Sequence, residues 1–369
     1  MLLEKIVNTE EFLQDRIVRT INEVKKPVVI YGASVYAYVV YNYLRAKGIE
    51  VFNLAVDRQY KQADHYMGIE VIEIESILDS IDDYHVVIGI SNYPAVIERF
   101  KSKGIDSLMV LDVPDFLNIP DAFMDLEFVE EHLGEFEQAY DLFDDELSRR
   151  TFIGAINTKL TGDPSHILPN VEHDHLYFTK ENFPEKRNEV MLDVGGFTGD
   201  SIVDFQKITN GEFDHIVSLE PFPKMFEQLN STIKKLGIED KCTTIQLGAW
   251  NEKTVLSFSN TEMDIDSKIK EDGDLKISVD TIDSILKDLG RTVTYMKFDI
   301  NGAEYKAILG AENTIRNEKP FLATKMHVKE DFYRLPILLK QIAPDIKLQL
   351  RQRNYMSMML VLYAFFDNN

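Results

Sequence analysis

The sequence predicts two α/β domains joined by an acidic helical segment. Three observations carry this reading. Short apolar runs alternate with helically spaced segments in two separate stretches, one before residue 112 and one from Val190 onward. Each stretch contains an apolar run followed by a glycine turn and a helix start. The chain closes on two apolar runs, Ile346–Arg351 and Met358–Tyr363, with no helix between them, the pattern of an antiparallel hairpin at a sheet edge. A length of 369 residues fits two or three domains of ~150 residues each.

In the first stretch, Pro27–Tyr31 reads as a strand, Gly32-Ala33-Ser34 as a turn and Val35–Lys47 as a helix. Val51–Val56, His85–Ile90 and Leu108–Leu111 follow as strands. Strands alternating with helices indicate a parallel sheet covered on both faces. Residues 106–148 then hold 14 acids and no lysine or arginine. Disordered acidic segments are poor in aromatics, whereas here Phe116, Phe123, Phe128, Leu133, Phe136, Tyr140 and Phe143 recur at roughly helical spacing. Short amphipathic helices with the acids outward are expected. In the second stretch the strands are Val190–Val194, His215–Glu220, Thr243–Leu247, Thr294–Ile300 and Phe321–Met326, ahead of the closing hairpin. The resulting division is a first domain over 1–112, an acidic connector and pre-core segment over 113–185, and a second domain over 186–369.

Composition narrows the function. A net charge of −22 excludes a phosphate backbone as partner, so no nucleic acid is expected, and it excludes a polybasic membrane patch. The longest apolar stretch, near Met358–Phe366, falls short of the ~20 residues of a membrane helix. Met1–Lys5 carries no signal-peptide pattern, so the protein is read as cytoplasmic. A single cysteine, Cys242, excludes an intramolecular disulfide and a multi-cysteine metal site.

The strongest local signal is Asp193-Val194-Gly195-Gly196-Phe197-Thr198-Gly199-Asp200, a glycine loop between strand and helix. Glycines there let backbone approach a ligand at the carboxyl end of a parallel strand. A pyrophosphate-binding loop avoids nearby negative charge, whereas Asp193 and Asp200 flank this one. The acids suit a ligand with a cationic end and hydroxyls, and favour S-adenosylmethionine over NAD. Glu220, followed by Pro221, ends the next strand, where an acid can accept from both ribose hydroxyls. Gly248 and Ala249, before Trp250, lie after the third strand of this stretch, beside the expected adenine.

Taken together, Asp193–Asp200, Leu219-Glu220-Pro221, Ser278–Asp283, Met296–Glu304 and the closing segments Lys319–Ala323, Met326–Lys329, Leu350-Arg351 and Leu360–Ala364 resemble FkbM-type SAM-dependent methyltransferases, in order and spacing. The resemblance runs from about Thr151 to the end. It implies a seven-stranded Rossmann-like methyltransferase sheet with an antiparallel last strand. It also implies O-methylation, often of a sugar or glycan hydroxyl.

Methyl transfer to a hydroxyl is helped by a nearby base. His327, after an apolar strand run, is the first candidate, with an ordinary pKa of ~6.5. Asp299, the other catalytic candidate, ends a strand at the same edge, where it could contact the cofactor, orient the substrate hydroxyl or bind a cation. Lys329 and Arg351 are candidates for the acceptor pocket. Asn301, also placed toward the acceptor, stands where the family usually has a glutamate, and an amide cannot take a proton. His166, His173 and His175, with Glu172 and Asp174, are read as a polar loop, so no metal is expected.

In the first domain, Gly32-Ala33-Ser34-Val35-Tyr36-Ala37 is a degraded dinucleotide loop, with Asp57 twenty-five residues beyond Gly32. A nucleotide sugar is one expected ligand there, and a structural or homodimer-forming role is the other. Tyr43 and Lys47 form Tyr-x-x-x-Lys but sit on the helix after the loop, out of reach of a nicotinamide. Two rival functions stay open on sequence: an NAD-dependent oxidoreductase acting on a nucleotide sugar, and a SAM-binding protein without catalysis.

Overall fold

The computed structural model describes residues 2–7, 9, 11–111, 124–179, 188–258, 273 and 275–367. Phe116 and Phe123 of the acidic segment lie outside these residues.

The first domain opens with α1 (Leu13–Glu23), then β1 (Val28–Tyr31), α2 (Val35–Ala46), β2 (Val51–Val56), β3 (His65–Tyr66) and β4 (Ile69–Glu73). It closes with β5 (His85–Ile88), α3 (Tyr93–Lys101) and β6 (Leu108–Val110). The sheet runs β3-β4-β2-β1-β5-β6, parallel throughout except for the short β3. Val28, Val29, Ile30 and Tyr31 are all buried, as expected for a strand covered on both faces. The four expected strands are present; β3 and β4 are additional.

The acidic segment forms α4 (Leu126–Glu131), α5 (Leu133–Asp141) and α6 (Glu146–Thr161). Its acids face outward as expected: Glu127, Glu130, Glu131, Glu135 and Asp141 are exposed, while Phe128, Phe136 and Phe143 are buried. Those rings pack into the second domain's core, Phe136 lying 5.3 Å from the Tyr333 ring.

The second domain runs β7 (Val190–Val194), α7 (Asp200–Ile208), β8 (His215–Leu219), α8 (Pro223–Leu236), β9 (Cys242–Ile245) and β10 (Gly248–Ala249). Then come β11 (Thr254–Phe258), β12 (Leu275–Asp280), α9 (Ile282–Leu289), β13 (Tyr295–Phe298), α10 (Glu304–Leu309) and α11 (Glu312–Glu318). It ends with β14 (Phe321–Lys325), α12 (Asp331–Ile342), β15 (Lys347–Gln352) and β16 (Leu360–Phe365). Seven strands form one sheet, β15-β16-β14-β13-β7-β8-β9. β16 alone runs antiparallel, between β14 and β15, which is the closing hairpin read from the sequence. A small sheet, β10-β12-β11, has no counterpart in the sequence reading.

The outer edge of β15 is covered by side chains and backbone from upstream. The Leu348 N–H donates to Asp144 Oδ2 (2.6 Å), the Leu350 N–H donates to Ser148 Oγ (2.9 Å), and the Gln352 carbonyl accepts from the Glu172 N–H (2.9 Å). These alternate residues are the ones whose backbone faces away from β16.

Candidate active site at the strand ends of the second sheet

Asp193, Lys297 and Ser218 are register partners on β7, β13 and β8, so they form one row across three strands. Asp193 is fully buried. Lys297 Nζ lies 3.0 Å from its Oδ1, and Ser218 Oγ donates to its Oδ2 (3.0 Å). Lys297 also donates to the Gly195 carbonyl (2.7 Å), so the row holds the glycine loop from beneath. Burial pulls the Lys297 ammonium down, but the carboxylates of Asp193, Asp299 and Asp200 outweigh it and raise its pKa.

Gly195 has φ +87°, and a Cβ there would lie 2.2 Å from the Asp299 carbonyl oxygen. Only glycine allows that approach, which brings the loop against the end of β13. A Cβ on Gly196 would meet Ser218 Oγ at 2.3 Å. Gly199 caps α7, the Thr198 carbonyl accepts from Thr232, and Asp200 opens the helix, exposed. Phe197 is on the open side of the loop. Glu220 is buried, and its two oxygens accept from the N–H groups of Phe197 (2.8 Å) and Phe222 (2.9 Å). Burial pushes its carboxyl up to about 7, against the pull of those two bonds. Pro221 follows, and a Cβ on Gly248 would lie 3.8 Å from its Cβ; Ala249 is buried beside it on β10. The residues expected to hold a cofactor thus meet at one edge.

Asp299 and His327 meet at the same edge, past the ends of β13 and β14. His327 Nε2 lies 2.9 Å from Asp299 Oδ1 and 3.5 Å from Glu304 Oε1. The Tyr177 hydroxyl donates to Asp299 Oδ2 (2.5 Å). Burial favours the neutral acid at Asp299, but the Lys325, His327 and Lys297 charges prevail and hold it well below the usual carboxylate range. An ionised carboxylate only accepts, so the nitrogen facing it carries a hydrogen. His327 is therefore a donor in this arrangement. Its ring is 2% exposed, whereas the Asp299 side chain is 30% exposed. Of the pair, Asp299 is the side chain with exposed surface at this edge.

Two buried acids frame the pair. Glu304 accepts from the N–H groups of Ile300 and Gly302 (both 2.8 Å), and Asp331 accepts from those of His327 (2.9 Å) and Val328 (3.0 Å). Burial, reinforced by the Glu304 carboxylate, pushes Asp331 up to about 7. Asn301 is exposed at φ +52°, inside the turn that Glu304 pins. Asparagine is among the few non-glycine residues that adopt this backbone readily.

Two expected acceptor-pocket residues have other partners. Lys329 Nζ stands 4.3 Å from the centre of the Phe128 ring. Arg351 is buried, with ion pairs to Asp145 (2.9 Å) and Glu172 (3.1 Å) and a bond to Ser148 Oγ (2.8 Å). It ties β15 to the start of α6. His173 and His175 separate, toward the Tyr355 hydroxyl (2.6 Å) and Asp204 (3.1 Å). Among the described residues, the one trio of metal-type ligands within reach of one another is Asp299, Glu304 and His327. Both Glu304 oxygens are already taken by backbone N–H groups.

Sequence reasoning passed over Lys297, Lys325, Glu304, Asp331 and Tyr177. A lysine inside an apolar strand, as in Tyr295–Phe298, is itself a signal, because a buried charge requires a partner. Tyr177 carries no local signal.

Residues 193–355 match the sequence profile of the methyltransferase FkbM domain. This stretch is an FkbM methyltransferase domain. The crystal structure of a methyltransferase FkbM from Methylobacillus flagellatus KT superposes with a TM-score of 0.67 at 19% identity, over 98% of this chain and 95% of that one. The likeness extends the shared fold beyond the FkbM domain to nearly the whole chain. A putative rRNA methylase from Clostridium thermocellum aligns over 49% of this chain and 87% of its own, at 10% identity and a TM-score of 0.33. No curated protein matches the chain. Among the described residues, no helix is long and apolar enough to cross a membrane.

Proposed function

We propose that the FkbM domain uses S-adenosylmethionine to methylate a hydroxyl oxygen of a sugar or glycan-type acceptor. The observation that carries the reading is the Asp299 carboxylate, ionised and partly open beside the glycine loop. The residues present fit this cosubstrate. The loop is bordered by Asp200 and Glu220, which suit an ammonium, a sulfonium and ribose hydroxyls and oppose a pyrophosphate, while Asp193, expected at the cofactor, is buried against Lys297 and supports the loop from beneath. This favours S-adenosylmethionine over NAD. When bound, it supplies a methyl group activated by the sulfonium. The backbone of Gly195–Gly199, Glu220 and the Gly248–Ala249 turn would hold it.

The protein's own part is to orient the hydroxyl and take its proton. Asp299 accepts the hydroxyl hydrogen, while Tyr177 and His327 hold the carboxylate in place. The hydroxyl becomes far more acidic as it is alkylated, so a carboxylate of low pKa is still a sufficient acceptor. Asn301 does not favour the catalytically silent alternative, because its backbone conformation accounts for an asparagine there and the Asp299–His327 pair is complete. The acceptor class rests on the family resemblance.

The test is incubation of the full chain with methyl-labelled S-adenosylmethionine and a panel of nucleotide sugars and glycans. Formation of S-adenosylhomocysteine with a labelled methyl ether is expected. Binding of S-adenosylhomocysteine without turnover of any acceptor would favour the silent protein, and binding of NAD instead would favour the oxidoreductase.

A pH dependence follows for the cofactor. Glu220 stands at about 7 without ligand, and ribose hydroxyls donate to its ionised form. Affinity for S-adenosylhomocysteine should therefore rise between pH 6 and pH 8, by roughly tenfold per pH unit at most below the pKa. Glu220→Gln should flatten that rise and bind more weakly. A calorimetric titration giving the same pH slope for both proteins would remove Glu220 from the site.

A further inference from the structure

The first domain holds a cavity of about 510 Å³, within the ~300–1,000 Å³ of small-molecule sites. It opens by Asp57, just past the carboxyl end of β2, where ligands bind in open parallel sheets. Its charged lining is Arg58, Arg99 and Lys103 against Asp57 and Glu75. Arg58 is paired with Glu73 (2.7 Å), so the cations left for an anion are Arg99 and Lys103.

The pairing inside the cavity sharpens this. Asp57 is buried, and its Oδ2 accepts from both the Tyr31 hydroxyl (2.8 Å) and Arg99 (2.7 Å). It fixes Arg99 through that oxygen. Arg99 donates from one terminal nitrogen to Asp57 and from the other to Tyr31, on a side chain that lines the cavity and is 38% exposed. A guanidinium held on two sides is preorganised for an oxyanion. Lys103 is exposed, with no carboxylate at ion-pair distance among the described residues. Ile74, Leu78 and Phe100 supply the apolar part of the lining, the Phe100 ring centre lying 5.1 Å from the Arg99 guanidinium.

We infer that this cavity binds an organic phosphate of nucleotide size, its phosphate on Arg99 and Lys103 and its organic part on the apolar side chains. The site is separate from the strand ends of the second sheet, and its ligand is independent of the methyl donor.

The test is calorimetric titration of the full chain with uridine diphosphate, adenosine diphosphate and inorganic pyrophosphate, in saturating S-adenosylhomocysteine. At least one nucleotide should bind saturably and more tightly than pyrophosphate. Lys103→Glu, an exposed change, should weaken that binding tenfold or more and leave S-adenosylhomocysteine affinity unchanged. Three results would overturn the inference: no saturable nucleotide binding at millimolar concentration, equal binding by Lys103→Glu, or pyrophosphate binding as tightly as either nucleotide. Loss of nucleotide binding when S-adenosylhomocysteine is added would also overturn it, by moving the nucleotide to the other site.

Discussion

Asp299→Asn should slow methyl transfer by about 10²-fold or more while S-adenosylhomocysteine binding persists. The substitution conserves size and leaves one carbonyl oxygen. It removes the proton acceptor, and it turns an amide N–H group toward either the Tyr177 hydroxyl or the His327 Nε2–H, both donors in the native arrangement. His327→Ala should slow transfer in the same direction, because the carboxylate loses one of the two donors that aim it. Single-turnover rates with labelled S-adenosylmethionine check both, with calorimetric binding as the control for folding. A wild-type rate for Asp299→Asn would take the carboxylate out of the reaction. Since Asp299 is held well below the usual carboxylate range, it stays ionised throughout neutral pH. Loss of its charge on acidification therefore cannot account for a fall in rate near pH 6.

Lys297→Met should destabilise the protein by about 3–5 kcal/mol. Lys297 is 3% exposed and Asp193 0%, so removing the ammonium leaves a carboxylate buried without its cation. The Gly195 carbonyl loses its donor in the same step. Protonation of Asp193 relieves the stranded charge, so the deficit should be smaller at low pH and larger at neutral pH. The double variant Lys297→Met/Asp193→Leu should recover much of the loss, because apolar side chains of similar volume often replace a buried pair at little cost. Thermal unfolding followed by circular dichroism reads this. A single variant melting within about 2 °C of wild type would show that the pair adds almost no stability.

Much of the fold was legible because buried parallel strands are written as unbroken apolar runs, and Val190–Val194 and His215–Leu219 fall where such runs stand. The small sheet was passed over for the opposite reason. In Leu275–Asp280 apolar and polar residues alternate, the mark of a strand with one face to solvent, and the search for continuous runs overlooked it. In the site, acids directly after strands identified Glu220 and Asp299, because chain direction alone puts them at one edge. What each side chain faces was not legible. Tyr177 reaches Asp299 across 122 residues, and Arg351 reaches Asp145 across 206. No local pattern encodes such pairs, so Arg351 reads from the sequence as an acceptor-pocket candidate, whereas its partners are Asp145 and Glu172. His327 was legible as a residue near the chemistry, but its donor role came only from finding two carboxylates around one nitrogen.

The cover along β15 bears on how copies of this protein meet one another. An unpaired outer strand offers its N–H and C=O groups to any extended chain, including the same strand of a second copy, and invites growth of one sheet into the next. Here Asp144, Ser148 and Glu172 occupy that row at alternate residues, and two of them bring carboxylates to the border. The acidic segment therefore covers the very edge that such self-association would use. Without residues 144–172, that outer strand would lose its cover and expose a template for aggregation.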